Sequence, residues 1–145
     1  MTEKKPQTLA NHTRFDPLYH FFALPVFAIA VGVAVVHFLR YPGWHSGLLF
    51  VVLVAVLIVV LKIRLYVNKL QDRIIRLEER LRLAAVLSEP LRSRIPELEE
   101  GQLIGLRFAS DGELPALVER TLAQKLSRAD IKKLIKTWRP DYWRV

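Results

Sequence analysis

Two unbroken apolar runs dominate the first half of the chain. Phe21 to Leu39 is 19 residues whose only ionisable group is His37, and Gly47 to Leu61 is 15 residues with none. A helix needs about 20 apolar residues at about 1.5 Å each to cross the hydrocarbon of a bilayer, so the second run is short by itself. Aromatic side chains extend it. Tyr19 and Tyr41 bracket the first run, Trp44 and Tyr66 the second, and each pair is 22 residues apart. In a helix that is about 33 Å, close to the hydrocarbon thickness. Lys62 and Arg64 can reach the headgroups while their stems stay in lipid. The pattern predicts spanning helices over residues 17–40 and 47–66. A hairpin buried in a soluble protein is the competing arrangement, but too little amphipathic sequence remains to cover two such uniformly apolar helices.

Residues 41–46 link the two runs, and Pro42-Gly43 within them is a turn signal. So short a link makes the helices antiparallel neighbours. Lys4, Lys5 and Arg14 precede the first run, while Lys62, Arg64, Lys69, Arg73 and Arg76 follow the second. The link holds only His45, with Arg40 just before it. By the positive-inside rule the N-terminal segment (residues 1–16) and everything after the second span face the cytoplasm, and the turn faces out. Ala28-x-x-x-Gly32 and Ala30-x-x-x-Ala34 place small residues on faces of the first helix, where another helix could approach closely. Pro25 should kink or loosen that helix. Asp16-Pro17 has the form of an N-cap followed by proline at the first helical position.

Beyond Leu61 the helical pattern continues without a breaker to about Leu87. Ile63, Val67, Leu70, Ile74, Leu77, Leu81 and Ala84 are spaced 4, 3, 4, 3, 4, 3, the seam of a heptad repeat. Asp72/Arg76 and Glu78/Arg82 add i,i+4 pairs of helpful sign on other faces. The second span and a stalk over residues 67–88 therefore read as one long helix. The seam can pack on the chain's own C-terminal helices or on a second copy. Packing within the chain is the expectation, because a C-terminal segment is at hand and three heptads are near the minimum for self-association.

Residues 89–145 form a small helical C-terminal module. Three short helical segments are expected there, after Ser88-Glu89-Pro90 ends the stalk. One runs from Pro96 to Ala109. The next opens at Ser110-Asp111-Gly112-Glu113, a capping box with Pro115 in the first turn, and the last at Ser127-x-x-Asp130, another capping box. Ile131, Leu134, Ile135 and Trp138 lie at helix spacing in that last segment, which Arg139-Pro140-Asp141 stops. The fold class expected is an all-α membrane protein, a two-helix transmembrane hairpin whose second span continues into a long cytoplasmic heptad-patterned helix and then the helical module.

Composition and charge agree with that division. The 145 residues are 52% hydrophobic and 25% charged, with a mean hydropathy of +0.21. Such values coexist when the two kinds of residue are segregated along the chain. Residues 18–61 carry Arg40 alone, whereas residues 62–145 carry 18 basic and 12 acidic side chains. There is no cysteine, which removes disulfides, thiolate metal sites and a cysteine nucleophile. The start of the chain lacks the short apolar core and small-residue cleavage site of a signal peptide, so both apolar runs should persist in the mature protein.

Several stretches resemble a family of small bacterial two-pass inner-membrane proteins, the DUF6526 family. They are Asn11-His12-x-Arg14, His20-Phe21, Gln71-Asp72-Arg73-x-Ile75-Arg76-Leu77-Glu78-Glu79-Arg80-Leu81-Arg82, Leu106-Arg107-Phe108-Ala109-Ser110-Asp111 and Trp138-Arg139-Pro140-Asp141-Tyr142. The resemblance covers nearly the whole chain beyond the first eight residues. It implies the two-pass architecture and a bacterial inner-membrane location. The family has no assigned activity, so it implies no functional residues.

Candidate chemistry is sparse. His12, Asp16 and His20 would share a face if they lay on one helix, but Pro17 places His12 in the coil before it. His20 and His37 are 17 residues apart in the first span, about 25 Å by helical rise, too far to share a ligand. The centres of both spans, Ala28–Ala34 and Leu53–Leu57, hold no ionisable group for a proton or ion path. A pore would have to be an oligomer lined by Val, Ala and Gly. No phosphate loop, paired-acid motif or Ser/His/Asp spacing is present, so neither catalysis nor a cofactor or metal is expected. Thr121–Ile135 has the sound of a helix-turn-helix, yet its two helices are expected to meet at Leu126-Ser127 without room for the usual turn.

The basic residues that remain are Arg14, Lys69, Arg73, Arg76, Arg80, Lys132, Lys133 and Lys136. Anionic lipid headgroups rank first as their partner, an ordinary solvated surface next and nucleic acid a distant third. Arg73, Arg76 and Arg80, with Lys69 and Arg107, could also hold phosphorylated or acidic partner segments. The functional expectation is a non-enzymatic anchor that holds a basic interaction module at the inner membrane face and engages itself or another protein through the stalk. A small oligomeric pore or transporter subunit is the alternative. Asn11 and His12 are expected to touch the base of the stalk.

Overall fold

A computed structural model describes residues 8–9 and 16–141. Asn11, His12, Arg14 and the Tyr142–Val145 tail lie outside the described residues. The chain divides into two compact units that part between Lys69 and Leu70. One helix, α2, runs through that boundary.

In the first unit, π-helical residues Leu18–Ala23 lead into α1, Leu24–Arg40. Asp16 is the expected cap, its Oδ1 accepting from the Tyr19 N–H at 3.2 Å. The Leu24 N–H reaches back to the Tyr19 carbonyl, an i→i−5 bond that gives the wide turn before Pro25. Proline offers no N–H to a tight helical ladder, and widening the preceding turn is a common accommodation. After Tyr41–Gly43, α2 begins at Trp44, three residues earlier than the apolar run alone suggests, and extends to Val86. Ser46 fixes the turn by donating from Oγ to the carbonyls of Tyr41 (2.7 Å) and Gly43 (3.0 Å).

The two helices form a hairpin. Phe38 lies within 3.4 Å of where a Cβ on Gly47 would stand, and at the other end Tyr19 Oη donates to the Val60 carbonyl at 3.4 Å. Ala34 of α1 is buried, and the partly covered residues are Ala23 at the end of the π-helical turn, Leu24, Phe27, Ala30 and Val31 on α1, and Phe50, Leu53, Val54, Leu57 and Val60 on α2. Those spacings give one stripe per helix. The remaining apolar side chains of α1, and those of α2 up to Val67, are exposed.

In the second unit, the last turns of α2 are followed by a 3₁₀ segment, Arg92–Glu97, then α3 (Glu100–Leu106), α4 (Leu114–Gln124) and α5 (Arg128–Leu134). The first expected segment, Pro96 to Ala109, is thus split. Its helix begins at a capping box that apolar periodicity does not reveal, formed by Glu99 and Gln102. The core joins Leu83 of α2 and Leu87 just past its end to Leu103 and Leu106 of α3, Leu114 and Val118 of α4, and Ile131 of α5, with Phe108 between them. Each fully buried side chain of this size contributes about 1.5–3 kcal/mol. Gly105 lets α3 meet α5 closely, since a Cβ there would stand 3.3 Å from Ile131 Cγ2.

Three local expectations are corrected. Ser110 does not cap α4; the helix starts after Glu113, whose carboxylate instead accepts from the backbone N–H groups of Lys136 and Thr137 at 3.1–3.2 Å. Helix α5 opens as expected, with Ser127 Oγ accepting from the Asp130 N–H, but it stops at Leu134. Residues beyond it run extended and pair with Phe108–Ser110, through Ser110 N–H to the Thr137 carbonyl (3.1 Å) and Arg139 N–H to the Phe108 carbonyl (2.7 Å). Trp138 is carried by that pairing onto Phe108, ring centroids 5.1 Å apart, rather than by helix periodicity. Finally, α4 and α5 are joined by three residues, Lys125–Ser127, with Lys125 left-handed at φ 48°. The junction therefore has the length of a helix-turn-helix turn after all.

Candidate functional site

The largest concentration of interacting polar side chains lies where α2 meets the module. Glu79 and Arg82 face the module from α2, and both are largely buried, their side chains 6% and 12% exposed. Arg82 is fully engaged. Its Nε donates to Asp111 Oδ1 at 2.7 Å, one Nη to Glu79 Oε2 at 3.2 Å, and the other to the Ala109 carbonyl at 2.7 Å. A planar guanidinium with five donors is suited to clasp two carboxylates and a turn of backbone at once. Arg139 adds a second cation 3.6 Å from Glu79. Arg107 sits with its guanidinium carbon 4.4 Å from the Phe108 ring centroid and its Nη1 3.6 Å from Asp141. Burial pushes the Glu79 carboxyl above the usual carboxylate range, and Arg82 and Arg139 pull against that without reversing it.

These groups border a cleft of about 460 Å³ whose ionisable walls are Glu78, Glu79, Asp141, Arg82, Arg107 and Arg139. Three carboxylates face three guanidiniums, so the cleft has no excess charge with which to concentrate an anion. Its arrangement suits a clasp that fixes Phe108–Asp111 and Trp138–Asp141 against α2. No group of three His, Cys, Asp or Glu side chains converges to hold a metal among the described residues.

The residues singled out from the sequence are placed as follows. Tyr19 is half-buried, with Arg64 stacked 5.6 Å from its ring centroid. Tyr41, Trp44 and Tyr66 are exposed, as is Lys62. The heptad seam does not pack on the C-terminal helices. Leu70, Ile74, Leu77 and Leu81 are 50–66% exposed, and Ile63 and Val67 are exposed too; only Ala84 is half-buried. The module docks instead on Ile75, Glu79, Arg82, Leu83 and Leu87, a different stripe of α2. Two of its five residues, Glu79 and Arg82, are charged, so a search for apolar periodicity passes over it.

Among the basic candidates, Lys69, Arg73, Arg80, Lys133 and Lys136 are exposed. Arg76 is not freely available: it pairs with Glu100 and donates from Nε to the Asp72 carbonyl, not to the Asp72 carboxylate. Lys132 is turned inward, 8% exposed, with Nζ 5.3 Å from the Phe108 ring centroid, so it does not contribute to an outward basic face. Arg82 pairs with Glu79 rather than Glu78. The clasp was missed as a unit, although its members all lie in the stretches that carry the family resemblance.

The family model for DUF6526, a family of unknown function, matches residues 1–145. The chain belongs to the DUF6526 family. No curated protein and no solved structure matches it. Among the described residues of this DUF6526 chain, two helices are long and apolar enough to cross a membrane: Leu18–Arg40, mean hydropathy 2.4 over its most apolar window, and Trp44–Val86, mean hydropathy 3.0.

Proposed function

We propose that the protein is a non-enzymatic integral protein of the bacterial inner membrane, whose hairpin anchors a helical interaction module at the cytoplasmic face. The observation that carries this reading is the exposure of the apolar hairpin. Phe22, Ile29, Val33, Val51 and Val59 are each 54–66% exposed among the described residues. A core helix of a soluble protein would be buried; lipid is the medium that suits such a surface. Lys62 and Arg64 after the second span, and Lys69, Arg73 and Arg80 further along α2, set the cytoplasmic side by charge. The exposed cations Lys133 and Lys136 then face a compartment with anionic lipid, each worth about 1 kcal/mol near such a surface.

The absence of native cysteine makes the test clean. Membranes carrying Gly43→Cys should react with an impermeant maleimide applied from outside. Ser88→Cys and Lys133→Cys should react only after permeabilisation. Release of the protein by alkaline carbonate, or the reverse labelling pattern, would overturn the proposal.

A further inference from the structure

Docking of the module on one stripe of α2 leaves a second, larger apolar stripe open. In heptad notation Ile74 and Leu81 occupy a positions, and Leu70, Leu77 and Ala84 occupy d positions. The docked residues Ile75 and Arg82 are then b, Glu79 is f and Leu83 is c. The module thus covers the b, c and f side of the helix, with Ala84 and Leu87 joining it at the end, while the a and d side chains from Leu70 to Leu81 stay open. Large apolar side chains at 50–66% exposure, in strict 3-4 alternation, are costly for a surface meant only for water.

We propose that two copies of this chain pair through this face of α2 as a parallel two-stranded coiled coil. Residue choice at the seam matches that occupant. The β-branched Ile74 at a, with leucine at d in Leu70 and Leu77, is the combination that favours two parallel strands, and Val67 and Ile63 continue the a and d spacing in the sequence. Charge agrees as well. Arg73 falls at g and Glu78 at the following e, the two positions that meet across a parallel dimer, so each copy's Arg73 faces the second copy's Glu78. Both side chains are exposed, and neither has an ion-pair partner among the described residues. An antiparallel pairing would lose that match. The inference rests on the membrane-anchor reading in one respect: insertion with a common orientation makes the parallel arrangement the accessible one. Confinement to a membrane also raises the local concentration, which lets a short seam associate.

The test uses the full chain in native membranes. Leu77→Cys, at a d position, should form a disulfide-linked dimer on mild oxidation, whereas Lys69→Cys, exposed at a c position, should not. Native mass spectrometry of the parent protein in mild detergent should show a dimer. Leu70→Asn with Leu77→Asn should lose dimer roughly tenfold or more without loss of helix content, since neither side chain packs in the module core. Glu78→Arg should weaken the dimer through like charges, and Arg73→Glu added to it should restore it. Equal crosslinking at both cysteines or at neither, a strict monomer, a higher oligomer, or capture of a different protein at Leu77→Cys would each overturn the proposal. Failure of the anchor reading is seen separately, as recovery of the chain in the soluble fraction.

Discussion

Replacing Arg82 with methionine removes the charge that holds the Phe108–Asp111 segment of the module to α2 while keeping most of the side chain's volume. In the folded chain Arg82 bonds Glu79, Asp111 and the Ala109 carbonyl. Removing one partner of a buried ion pair costs about 3–5 kcal/mol, because the other charge is left without compensation. The Glu79 side chain is 6% exposed and falls in that class, whereas Asp111, 68% exposed, is rehydrated at little cost. Arg139, 3.6 Å away, still faces Glu79, so the low end of the range, about 3 kcal/mol, is expected. For a unit of this size each kcal/mol moves Tm by about 4–8 °C, which gives a fall of roughly 12–24 °C in the unfolding of the module. Circular dichroism in micelles follows it, and hydrogen exchange at the Ser110 and Arg139 amides, which bond Thr137 and Phe108, locates it. Adding Glu79→Gln to Arg82→Met should recover about 1–2 kcal/mol, since it removes the stranded charge. An Arg82→Met protein that melts within roughly 3 °C of the parent would refute the clasp.

Gly105→Val should destabilise by about 1–3 kcal/mol, because its Cβ would crowd Ile131 Cγ2 at 3.3 Å and the Arg128 carbonyl at 3.4 Å. Gly32→Val, with nothing within 4 Å, serves as the control and should leave denaturant midpoints unchanged. Glu79 gives a pH signature. Its folded-state pKa lies above the ordinary 4.5, so the folded form holds the proton more tightly than the unfolded chain does. The resulting stabilisation is complete below 4.5 and is lost as pH rises through the raised value. Stability of the parent relative to Glu79→Gln should therefore fall from pH 4.5 towards neutrality in denaturant titrations; a relative rise would contradict the assigned burial.

The hairpin was legible because its signal is local and repeated: long apolar runs, a Pro-Gly turn, an Asp16 cap. The stalk was legible as a helix but not in its facing. Ile74, Leu77 and Leu81 carry a stronger periodic signal than Ile75, Glu79 and Leu83, yet the module chose the second set, since Arg82 and Glu79 offer specific polar partners as well as apolar contact. Propensity likewise favoured a helix through Ile135 and Trp138. Pairing with Phe108–Ser110, nearly thirty residues away in the chain, overrides it, and no local pattern reports such a contact. Ser110 lost its capping role for a related reason: Glu113, the reciprocal member of the predicted box, is used by the Lys136 and Thr137 amides instead.

The closing of the module by residues 135–139 also sets the order in which this protein can be made safely. When the end of α2 has been synthesised, its stalk presents apolar side chains on two stripes, the open seam and the Ile75, Leu83 and Leu87 stripe. The second stays uncovered until Trp138 and Arg139 exist to complete the clasp, roughly fifty residues later. At about 5–20 residues per second, that interval is about 3–10 s. For that time the nascent helix is adhesive on both sides, and the growing chain itself is the nearest surface able to shield it.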